Sequence, residues 1–172
     1  MQSTKPDRAP VVDTGLRQYL TFRLGGLEYA LDYDRVRELR PLKSLERVAS
    51  RGDLVPGVAV SHGLIMPIVD MRVAFGPRPP QHDPRTEVII LKLSTCVMGM
   101  VTDGVSDVVT LAPGDILPFG SVGKDVDYLL GIGAQGTRRM IVLDIDKLMA
   151  IKAAQIRRAS ADGPGAQRRA DH

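Results

Sequence analysis

Three histidines, one cysteine and a scatter of aspartates are the residues of this chain best equipped for chemistry. General acid–base, nucleophilic or metal chemistry needs several such groups converging on one site. His62, His82 and His172 are widely separated, and the last two fall in a proline-rich stretch and at the final position. No His-x-x-x-His, Cys-x-x-Cys, His-Glu-x-x-His or Gly-x-Ser-x-Gly spacing occurs. Asp32 with Asp34 opens like a calcium loop, but the acidic and glycine positions that should follow are missing. Asp70 and Asp144 each follow an apolar run, as a helix-capping aspartate does. Asp34 and Asp103 read as turn formers. The single cysteine, Cys96, excludes an internal disulfide and a four-cysteine zinc site, and its alternating apolar surroundings make it a small buried hydrophobe. These residues predict no enzyme, no catalytic residue, no metal and no cofactor.

Bulk composition narrows the remaining classes. With 44% hydrophobic residues in 172, the chain can build a core as one unit or as two small lobes. The net charge of +3 lies wholly in the ends, because residues 18–156 hold 16 basic and 16 acidic side chains. A neutral middle and an aromatic content of 4% both disfavour a small β-barrel that binds nucleic acid, the alternative reading of these elements. No apolar run approaches the roughly 20 residues that span a bilayer, which predicts a cytoplasmic protein.

The elements that must position any site are mostly strands. Residues 18–24 alternate Tyr19, Thr21 and Arg23 against Leu20, Phe22 and Leu24, and Gly25-Gly26 turns the chain into a returning strand. Strands follow over 36–42, 55–60 and 64–69, with a short helix expected from Asp70 to Phe75. Four prolines in residues 76–85 make a joint that is neither strand nor helix. Further strands are expected over 86–93, 95–101, 105–111, 128–134 and 139–143, with a long loop over 112–127. One helix, 145–156, carries an apolar stripe of Ile145, Leu148, Met149 and Ile156. Residues 1–17 and 157–172 read as disordered tails.

The two halves repeat each other. Moved forward by 69 positions, residues 19–42 fall on 88–111, so that Leu24 meets Leu93, Asp34 meets Asp103, Val36 meets Val105 and Glu38 meets Asp107. Moved by 74, residues 55–70 fall on 129–144, with Gly57 on Gly131, Met66 on Met140 and Asp70 on Asp144. Two copies are too few for a solenoid. They predict two similar β lobes, about 18–75 and 86–144, within one unit over 18–156.

A series of blocks then resembles one family. They begin with Tyr19-Leu-Thr-Phe-Arg-Leu-Gly-Gly and Glu28-Tyr-Ala-Leu-Asp-Tyr-Asp-Arg-Val-Arg-Glu-Leu. Val55-Pro-Gly-Val, Met66-Pro-Ile-Val-Asp-Met-Arg, Asp103-Gly-Val-Ser-Asp-Val and Ile141-Val-Leu-Asp-Ile-Asp follow in order. Together they resemble the CheW-type coupling proteins of bacterial chemosensory arrays over residues 18–150. The resemblance implies a mainly β fold of two SH3-like five-stranded barrels in tandem, with short helices and the C-terminal helix. It implies a non-enzymatic adaptor that joins chemoreceptor cytoplasmic tips to the regulatory domain of a CheA-type histidine kinase, recruited to membrane-associated arrays without inserting into the bilayer. Carried over residue by residue, it puts Val36, Glu38, Gly57 and His62 at the receptor-facing groove and Leu39, Leu42 and Leu45 at the kinase-facing surface.

One departure stands at that groove. Where the family usually reads Ile-Asn-Leu-Arg-Gly, this chain reads Ala59-Val60-Ser61-His62-Gly63. A permanently charged guanidinium fork is replaced by an imidazole, a group that loses its charge near neutral pH. A pair between Glu38 and position 62 is therefore expected to be weaker or pH-dependent.

Overall fold

The strands owe their burial to two-sided apolarity. In β1 (Arg17–Leu24), Leu20, Phe22 and Leu24 are buried on one face, and Tyr19 and Thr21 on the other. Such a hairpin strand needs cover on both sides. A computed structural model describes residues 15–51, 55–72, 86–120 and 126–161 and shows how the cover is supplied. Most of both tails, the joint at 76–85 and the end of the helix expected to reach Phe75 lie outside these residues.

Twelve strands among the described residues form two sheets. The first half supplies β1, β2 (Leu27–Asp32), β3 (Val36–Pro41), β4 (Glu46–Arg51), β5 (Val55–Ser61) and β6 (Leu64–Asp70). The second supplies β7 (Glu87–Lys92), β8 (Val97–Thr102), β9 (Gly104–Leu111), the two-residue β10 (Ile116–Leu117), β11 (Leu129–Gln135) and β12 (Arg138–Leu143). Helix α1 (Ile145–Ala161) closes the described chain. The fold is mainly β, as expected, with six strands in each sheet against five expected per lobe.

The sheets do not divide at the joint. One runs β10-β11-β12-β2-β1-β9 and the other β4-β5-β6-β8-β7-β3. Each half therefore lends its opening hairpin to the other half's sheet, and the expected contiguous lobes at 18–75 and 86–144 are not the units of strand pairing. Burial supplies the reason. Leu20, Phe22, Leu24, Tyr29 and Leu31 from the first hairpin meet Ile89, Leu91, Leu93, Met98 and Met100 from the second in one shared core, roofed by Leu143, Ile145, Leu148 and Met149. The opposite faces of the same hairpins enter two smaller cores, one around Met66, Ile68, Val88 and Ile90, the other around Tyr19, Val109, Met140 and Val142. Each fully buried large side chain contributes roughly 1.5–3 kcal/mol relative to exposure, so exchange of the hairpins stabilises both lobes together.

The register confirms the duplication pair by pair. Val36 opposes Leu91 as Val105 opposes Phe22, and Leu39 opposes Ile89 as Val108 opposes Leu20. Gly57 opposes Ile68 as Gly131 opposes Val142. The parallel joins agree as well: Ile68 with Gly99 in one sheet, Val142 with Ala30 in the other. The strand-pairing pattern thus repeats at the same offsets of 69 and 74 positions found in the sequence.

Several local elements differ from those expected. Strand β4 was not anticipated, and the expected loop 112–127 contains a 3-10 turn at Pro113–Asp115 and strand β10. Helix α1 continues past Ile156 to Ala161, into what reads as tail. Cys96 is exposed, because β8 begins only at Val97 and the cysteine sits in the β7–β8 turn, where the Leu93 N–H donates to its carbonyl at 2.9 Å. The aspartates behave as caps and ties. The Asp32 carboxylate accepts from the Asp34 N–H at 2.9 Å, and that of Asp144 from the Lys147 N–H at 3.2 Å. Asp103 accepts from the Gly25 N–H at 2.8 Å and so ties one hairpin turn to the β8–β9 corner. Asp70 accepts from the Arg72 N–H at 3.0 Å and also from the Arg72 guanidinium, whose Nη1 reaches the Thr86 hydroxyl at 3.2 Å.

Candidate functional site

Strand β3 is an edge strand. Between Val36 and Glu38 its register against β7 slips by one residue, a β-bulge in which Arg37 is the extra position. Bulges of this kind end regular pairing and re-aim the following side chain. Val36, before the bulge, is half-buried and packs against the shared core. Glu38, after it, stands opposite Ile90 and keeps 33% of its side chain exposed.

The turn from β5 to β6 brings His62 to Glu38. Ser61 pairs with Leu64, so His62-Gly63 is a two-residue hairpin turn, and both residues have positive φ, 50° and 73°. A two-residue turn of this hand matches the twist of the strands, and it favours Gly, Asn or Asp over other residues. His62 is the one described non-glycine residue with positive φ. Its Nε2 lies 3.2 Å from Glu38 Oε2 and 3.4 Å from Oε1. Arg40 Nε lies 3.7 Å from Glu38 Oε1 on the other side. His62 is 70% exposed, so the pair contributes on the order of 0.2–1 kcal/mol and is screened by salt.

Of the receptor-facing residues expected from the sequence, the structure joins Glu38 to His62 and sets Val36 two positions before Glu38 across the bulge. Gly57 lies on β5, paired with Ile68. The kinase-facing set is not one surface. Leu39 is 42% exposed, Leu42 is half-buried against a core, and Leu45 is 6% exposed inside that core. Leu45 is therefore a packing residue and Leu39 the one of the three available for contact.

Sequence reasoning missed two participants. Arg40 beside Glu38 carried no signal beyond its charge. The other is a polar cluster at the matching place in the second sheet. There Arg138 donates to Asp107 at 2.7 and 3.0 Å, and its Nε donates to both Glu28 oxygens at 3.1 Å. The Thr21 hydroxyl donates to Asp107 Oδ1 at 2.7 Å. The guanidinium and the Thr21 hydroxyl hold the Asp107 carboxyl down at about 2, and hydrogen bonding to Arg138 lowers Glu28 as well. Residues 131–136 also carry a Gly-x-Gly-x-x-Gly spacing. They lie in β11 and its antiparallel turn to β12, not at a strand-to-helix junction, so the spacing forms no phosphate cradle. Among the described residues, no three His, Cys, Asp or Glu side chains are placed to hold a metal ion.

A family model described as the CheW-like domain matches residues 18–153. The chain belongs to the CheW-like family. It is 39% identical over 135 residues to the chemotaxis protein CheW of Klebsiella aerogenes, covering 77% of this chain and 81% of that one. It is 27% identical over 149 residues to protein FrzA of Myxococcus xanthus, covering 84% and 92%. Among solved structures, the scaffolding protein TtCheW of Thermoanaerobacter tengcongensis superposes with a TM-score of 0.65 at 22% identity, over 74% of this chain and 88% of that one. This last likeness speaks to the fold, and it agrees with the two-sheet arrangement of this CheW-like chain.

Proposed function

We propose that this chain is a non-enzymatic adaptor that couples the cytoplasmic tips of chemoreceptors to a CheA-type histidine kinase. The observation that carries the reading is the CheW-like match across residues 18–153, which spans both sheets and every candidate site residue. The geometry supports it. Edge strand β3 offers Val36, the bulge and the Glu38–His62 pair as a docking position for a helical hairpin, and Leu39 adds exposed apolar surface on the same strand for the kinase. No helix among the described residues is long and apolar enough to cross a membrane, in keeping with recruitment to an array through its receptors.

The test is recovery of partners from the native cell extract on the tagged chain. A chemoreceptor arriving together with a CheA-type kinase supports the reading. Recovery of neither, from cells that express both, refutes it.

A further inference from the structure

The internal repeat places two carboxylates at matched positions. Glu38 and Asp107 are 69 residues apart, and in both sheets they adjoin a register slip, between Val36 and Glu38 in one and opposite Leu20 to Phe22 in the other. Their surroundings differ sharply. Asp107 receives two guanidinium bonds from Arg138 and one hydroxyl bond from Thr21, at 2.7, 3.0 and 2.7 Å. Glu38 has an imidazole at 3.2 Å and an arginine Nε at 3.7 Å.

The repeat shows why. The positions matching Arg138, Glu28 and Thr21 in the other sheet are Leu64, Val97 and Ile90. Val97 and Ile90 belong to an apolar core. The guanidinium that engages both oxygens of the second carboxylate therefore has no counterpart on the same strand of the first sheet. A bidentate guanidinium–carboxylate contact is the strongest ordinary ion pair, and a carboxylate already engaged in one offers little to an incoming cation.

We propose that Arg138 is a specificity-determining residue: by occupying Asp107 from within, it leaves Glu38 as the carboxylate of the matched pair that takes a basic side chain of the docked receptor hairpin. The inference rests on the adaptor reading above and goes further, in naming the partner group and in making the polar contact one-sided. The second edge then contributes apolar surface, such as Val108, which is 41% exposed.

The experiment is a titration of the full chain with a labelled helical-hairpin fragment from the tip of a chemoreceptor of the same cell, at low and at physiological salt. Glu38→Gln is expected to weaken binding about tenfold at low salt and to flatten its salt dependence, since one charge-assisted bond is lost. Asp107→Asn is expected to stay within about twofold, because its charge is already spent inside the chain. Should Asp107→Asn fail to fold, Thr21→Val removes one bond from Asp107 and carries the same expectation. In an Arg138→Leu background, which frees Asp107 and reproduces the residue at position 64, the loss from Glu38→Gln should shrink. The proposal is overturned if Asp107→Asn, folded, costs as much as Glu38→Gln, or if Glu38→Gln has no effect. Absence of binding by the unsubstituted chain is a different failure, that of the adaptor reading itself.

Discussion

Replacing Asp107 by Asn removes one arm of the Arg138 clamp, and the size and pH dependence of the loss follow from the site. Hydrogen bonding to Arg138, then to Thr21, holds the Asp107 carboxyl at about 2 against an ordinary 3.8. Taken at face value that drop is worth about 2.4 kcal/mol of folding free energy. Asp107 is 53% exposed, so solvent screening reduces the expectation to about 1 kcal/mol. A carboxyl depressed in the folded state stabilises while it is ionised in both states, and the contribution fades as pH falls through the folded value. The difference between the unsubstituted chain and Asp107→Asn should therefore be constant above about pH 5, shrink below about pH 4 and be mostly lost by about pH 2. Urea denaturation followed by circular dichroism at stepped pH measures it directly, and thermal melts should differ by about 2–4 °C near neutrality. A difference undiminished at pH 2, or absent at pH 6, would refute the clamp as an electrostatic device.

Three further outcomes are expected. Arg72→Ala strands the Asp70 carboxylate, whose side chain is 10% exposed, and should cost about 3–5 kcal/mol in urea denaturation. His62→Gly relieves the left-handed backbone at φ 50° and should raise stability by up to about 1 kcal/mol, while the receptor-tip titration should show binding no weaker than before, because Glu38 loses an internal partner that competes with the incoming cation. Phe22→Ala, at 0% exposure in the shared core, should cost about 3–5 kcal/mol, and both sheets should still unfold in one transition; two separated transitions by far- and near-ultraviolet dichroism would contradict the hairpin exchange.

The candidate site was legible in proportion to how local its signals are. Strand β3 could be read as an extended stretch because it leads into Pro41, whose missing N–H suits an edge position, and the 69-residue offset already set Glu38 on Asp107. That Glu38 and position 62 form a pair was expected from the resemblance and is present at 3.2 Å. The strained turn at His62 was not legible, since positive φ follows from the two-residue length of the connection and not from the histidine. Leu45 and Cys96 exchanged their expected environments for the same kind of reason. Both stand in irregular stretches where alternation ends, and burial there depends on what packs across the gap.

By itself the amino-acid sequence determined the class of the fold, the internal duplication, ten of the twelve strands along the chain and the family. All of these are written in periodicity, turn residues and ordered blocks, which are properties of neighbours along the backbone. Tertiary structure alone decided that the opening hairpins change places, that Arg138 bridges Glu28 on β2 to Asp107 on β9, and that one of two matched carboxylates is satisfied within the chain. The physical reason is common to all three. A hairpin apolar on both faces can be covered by either sheet with the same local pattern, and only the packing of the whole chain chooses between them; a guanidinium reaches partners 110 and 31 residues away only after that choice is made.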